Sequence, residues 1–120
     1  MQLIKVINAR QIINSFIDKE DIDSTLAYWM VKFMIKTENE HVFYASEAQK
    51  LLDKYAETTD GDMKQIPAAK IAEFNEAIER LNAVEVEDPG IRFTLSLLSS
   101  ELKLSMKQMY CLLDFVDENA

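Results

Sequence analysis

The chain reads as a mostly helical α+β domain, in which a long helical hairpin and two shorter helices pack on a small two- or three-stranded sheet. Three observations lead there. Only two glycines and two prolines occur in 120 residues; both residue types punctuate strands and tight turns, so long uninterrupted elements are favoured over a many-stranded sandwich. Hydrophobic residues make up 48% of the chain, enough for one core, and the length suits a single domain over residues 1–120. Apolar residues recur at threes and fours through most of the sequence, with alternation confined to short segments.

Gln2 to Ile7 is short, rich in Ile and Val and partly alternating, which predicts a first strand ended by Asn8. Asn8 and Gln11 have capping-box spacing, and Ala9, Ile12, Ile13, Phe16 and Ile17 recur at three and four, so a first helix is expected to run to Asp18. The acidic segment Asp18-Lys19-Glu20-Asp21-Ile22-Asp23 breaks that pattern, and Asp23 or Ser24 can cap a second helix. From there Leu26, Met30, Phe33, Thr37, His41, Tyr44, Ala48, Leu51 and Tyr55 are spaced by threes and fours without Gly or Pro. This predicts one helix of about 30 residues, roughly 45 Å long, bent if anywhere at Lys36-Thr37-Glu38-Asn39-Glu40, where the stripe turns polar.

Glu57-Thr58-Thr59-Asp60-Gly61-Asp62 reads as a loop within the domain. Pro67 fits the first turn of a third helix with Ile71, Phe74, Ile78 and Leu81 on one face. The short loop folds it antiparallel onto the long helix, setting Tyr44, Leu51 and Tyr55 against Phe74, Ile78 and Leu81. Val84-Glu85-Val86-Glu87, the turn Asp88-Pro89-Gly90 and the alternating Arg92 to Leu97 predict two strands joined by the first one. Ser105 and Gln108 form a second capping box, before a closing helix carrying Met106, Met109, Leu112, Leu113 and Val116 and a polar tail.

Twenty-one acidic against 13 basic side chains leave a net charge of -8, and the lysines are scattered, so a phosphate backbone meets net repulsion and direct nucleic-acid binding is not expected. The one cysteine, Cys111, rules out an intramolecular disulfide and a multi-cysteine metal site, and suits a reducing, cytoplasmic compartment. No secretory leader pattern opens the chain, and no apolar run approaches the roughly 18 residues that span a bilayer, so no membrane is expected. The sole histidine, His41, cannot build a two-histidine metal site or relay and reads as structural; Cys111, beside Leu112, reads as a small apolar residue without positive charge nearby.

Carboxylates at Asp18, Glu20, Asp21 and Asp23, or at Asp60 and Asp62, match no EF-hand loop. The pairs Glu38 with Glu40 and Glu85 with Glu87 read as solvated faces rather than hydrolytic dyads. Gly61 and Gly90 stand too far apart for a phosphate-cradling loop. No catalytic residue, cofactor, metal or small-molecule substrate is therefore expected, and the chain is not read as an enzyme. One surplus remains: Tyr28, Trp29, Phe33, Met34 and Phe43, with Val31 and Ile35, are too many apolar residues for one helical stripe. Tyr28, Trp29, Phe33 and Met34 are accordingly the expected contact residues for a protein partner or for self-association.

Leu51-Leu52-Asp53-Lys54-Tyr55, then Ile71-Ala72-Glu73-Phe74-Asn75-Glu76-Ala77-Ile78-Glu79-Arg80-Leu81, then Val84-Glu85-Val86-Glu87 and Leu104-Ser105 resemble a family of short uncharacterised proteins encoded in phages and prophages of Gram-positive bacteria. The chain departs from that pattern at Ala56, where a glycine is usual, and at Met106, where a proline is common. The resemblance implies a phage-type accessory protein in the cytoplasm of a bacterial host, acting by protein contact as an assembly or structural factor, and carries over no site residues. The alternative is an acidic inhibitor that occupies the basic channel of a host defence or nucleic-acid enzyme.

Overall fold

A computed structural model of the chain describes residues 1–58 and 64–117. The described residues form a mostly helical α+β fold measuring 51 × 31 × 25 Å. The order is α1 (Leu3–Asn14), α2 (Ser24–Lys36), α3 (Glu38–Tyr55), β1 (Glu57–Thr58), β2 (Lys64–Gln65), α4 (Ile71–Asn82), β3 (Phe93–Thr94), α5 (Leu95–Glu101), α6 (Met106–Leu112) and β4 (Val116–Asp117). Single 3-10 turns precede α4 (Ala68–Lys70) and follow α6 (Leu113–Phe115). The strands are minimal: β1 pairs antiparallel with β2, and β3 parallel with β4.

α1 is the organising element, and it replaces the first strand expected over Gln2 to Ile7. Leu3, Val6, Ile7, Arg10 and Ile13 are all buried, a spacing of threes and fours that outweighs the β-branched composition. Gln2 supplies no side-chain cap; the first orphan N–H, that of Leu3, donates to the Val84 carbonyl at 2.8 Å. The Met1 ammonium meets the Glu85 carboxylate at 2.7 Å, and Val86 N–H donates to the Met1 carbonyl at 2.8 Å. The expected pairing of the amino terminus with Val84-Glu87 thus shrinks to one bridge, Gln2 with Glu85.

One side of α1 (Val6, Ala9, Ile13) joins the main core of Leu26, Met30, Phe33, Phe93 and Phe115. Phe33 is its centre, with ring centroids 4.9 Å from Phe115 and 5.9 Å from Phe93. The other side (Leu3, Ile7) meets Leu81 and the half-buried Tyr44, Ala48 and Leu51. The hairpin of α3 and α4 forms as expected: Tyr55 stacks edge-on against Phe74 at 6.1 Å, and Tyr44 Oη donates to Asn82 Oδ1 at 2.8 Å. Lys70 and Glu57 pair at 2.9 Å beside the connection between the two helices. Thr59 to Asp62 of the expected loop, and the tail after Asp117, lie outside the described residues.

Two further expectations fail. The long helix is not continuous: Thr37 leaves helical geometry (φ -105°, ψ 10°) and divides it into α2 and α3. Arg92 to Leu97 is not the second arm of a hairpin; only Phe93 and Thr94 are extended, and they pair with Val116 and Asp117 instead. Leu95, Leu98 and Leu102 also stand three and four apart, and burying Leu98 and Leu102 in the core makes α5 a helix. The turn before it forms as expected: Gly90 has φ 75°, its N–H donates to Asp88 Oδ1 at 2.8 Å, and Arg92 grips the same carboxylate.

Candidate functional site

A groove of about 720 Å³ lies between α1 and α2. Its position reflects two local decisions of the chain. α1 stops at Asn14, and the segment after it folds back in successive tight turns, with Phe16 N–H on the Ile13 carbonyl and Lys19 N–H on the Phe16 carbonyl. α2 then starts sharply because Asp23 Oδ1 accepts the N–H groups of Thr25 (2.9 Å) and Leu26 (3.2 Å), so that of the two caps the sequence allows, Asp23 and Ser24, it is Asp23 that serves. A trough lies between the two helices. Ile13, Phe16, Ile17 and Ile22 form one wall, and Met30, Val31, Met34 and Ile35 of α2 the other.

Arg10 closes the inner end. Its guanidinium is buried and makes three hydrogen bonds: Nη1 donates to the Met34 carbonyl and to Thr37 Oγ1, both at 2.7 Å, and Nη2 to Glu38 Oε2 at 3.0 Å. Thr37 Oγ1 in turn donates to the Phe33 carbonyl at 2.7 Å. This back-bond, with the guanidinium wedged at the helix surface, accounts for the break between α2 and α3. With Nη1 and Nη2 of Arg10 bonded inside the protein, most of the groove lining that a visitor meets is apolar.

The lip of the groove is exposed and aliphatic. Ile17 is 70% accessible, Ile35 67% and Val31 57%, an unusual cost in hydration for three β-branched aliphatics that share one trough. Around it the segment 18–23 is acidic. Lys19 pairs with Asp21 at 2.9 Å, and the hydrogen bond from its ammonium holds the Asp21 carboxyl below the usual carboxylate range. Asp18 and Glu20 are exposed and make no ion pair among the described residues.

Of the four contact residues expected from sequence, the groove takes Met34 alone. Phe33 is a correction: it is fully buried in the main core and presents nothing to a partner, because its side of α2 faces Phe93 and Phe115. Tyr28 and Trp29 are exposed on α2 outside the groove lining, packed edge-to-face on each other at 5.3 Å and 82°. The lip residues Val31 and Ile35 were visible in sequence as part of the apolar surplus on α2. Ile17 was not, since it fitted the expected stripe of the first helix; α1 ends before it.

Other chemistry is sparse. His41 is exposed on α3 and Cys111 half-buried in α6, on elements that do not bring them into the groove. Among the described residues no group of three or more His, Cys, Asp or Glu side chains is placed to hold a metal ion, and no helix is long and apolar enough to cross a membrane. A second hollow of about 400 Å³ between α3 and α4 is lined by Phe43, Leu51, Tyr55 and Val84 with Glu47, Lys54 and Arg80. Comparison with known protein families, with curated proteins and with solved structures finds no match to this chain.

Proposed function

We propose that the protein acts by protein-protein contact, as an assembly or structural factor, and that the groove between α1 and α2 is its contact surface. The observation that carries this is the exposed aliphatic lip of Ile17, Val31 and Ile35 over a trough whose one buried charge, Arg10, is already satisfied. Such a surface gains by covering apolar side chains. The groove's charged side chains are paired, Arg10 with Glu38 and Lys19 with Asp21. The resemblance to short phage and prophage proteins adds the setting of an accessory factor in the cytoplasm of a bacterial host.

The test is a tagged pull-down from cells carrying the native phage or prophage, with the wild-type chain and with Val31→Lys, at low and high salt. A partner retained at high salt by the wild type and lost by the variant is the expected result, since an apolar contact holds or tightens with salt. Identical capture by both chains overturns the reading. The net charge of -8 and the acidic 18–23 segment favour one alternative, inhibition of an enzyme with a basic channel. In that case the captured protein is lost at high salt and Val31→Lys is without effect.

A further inference from the structure

We draw no further inference here: the strongest candidate, the exposed apolar face of Met106, Tyr110 and Leu113 along α6 and the 3-10 turn that follows it, carries nothing because nothing in the structure shows what covers it.

Discussion

Replacing Arg10 with Leu keeps much of the side chain's apolar bulk but removes the guanidinium that ties α1 to the break between α2 and α3. Two of the lost bonds run from a buried cation to neutral acceptors, the Met34 carbonyl and Thr37 Oγ1, and such bonds contribute about 1.5–3 kcal/mol each. The pair with Glu38 adds at most about 1 kcal/mol, because that carboxylate is exposed and screened. Against these stands the desolvation of the buried guanidinium, which the substitution relieves. The net expectation is a loss of about 2–4 kcal/mol, or a fall in Tm on the order of 10 °C for a domain of this size. Urea unfolding followed by circular dichroism reads it as a lower midpoint at unchanged slope. Thr37→Val supplies the cycle: because Thr37 shares the network, the double variant loses less than the sum of the singles, by about 1 kcal/mol. Arg10→Leu within about 0.5 kcal/mol of wild type, or strict additivity with Thr37→Val, refutes the claim that this network holds the α2–α3 joint.

The Arg92 guanidinium hydrogen-bonded to Asp88, helped by the Gly90 N–H and opposed by partial burial, holds the Asp88 carboxyl at a pKa of about 2. A folded-state value below the unfolded one means stabilisation that is complete above about pH 4 and lost as pH falls through about 2. Asp88→Asn is therefore less stable than wild type near neutrality, by under about 1 kcal/mol given the exposure of the pair, and the gap closes across that acidic window in urea melts. A gap independent of pH contradicts this. Phe33→Ala, at the centre of the aromatic core, is expected to cost about 3–5 kcal/mol, whereas Trp29→Ala, on the surface against Tyr28, costs at most about 1 kcal/mol. Equal losses in chemical denaturation show that α2 is oriented otherwise.

The apolar surplus on the second helix was legible in the sequence, but its division between core and groove was not. Phe33 and Met34 are neighbours in sequence and similar in hydropathy; which of them meets Phe93 and Phe115 and which faces the trough depends on the rotation of α2 about its axis. The exposure of Met106, Tyr110 and Leu113 was hidden for a related reason. Leu112 and Leu113 are chemically the same, and only the docking of α6 on α1 turns one inward and leaves the other exposed.

Where a segment's structure rests on its own residues, the sequence alone determined it: the Asp23 cap, the capping box of Ser105 and Gln108, the Asp88 to Gly90 turn, the α3–α4 hairpin and the mostly helical class. Where two periods coexist in the same letters, tertiary structure decided. Leu3, Val6 and Ile7 suit a strand by composition and a helix by spacing, and the helix forms because it buries all three at once while Val84 accepts its first N–H. Leu95 to Leu98 turns from strand to helix because Leu98 and Leu102 reach the core only with a helical rise. Thr37 ends a helix that its apolar stripe would continue, because Arg10, 27 positions earlier in the chain, arrives at that point with donors to satisfy. Contacts between distant residues are absent from any local window, and here they set the joint and the groove.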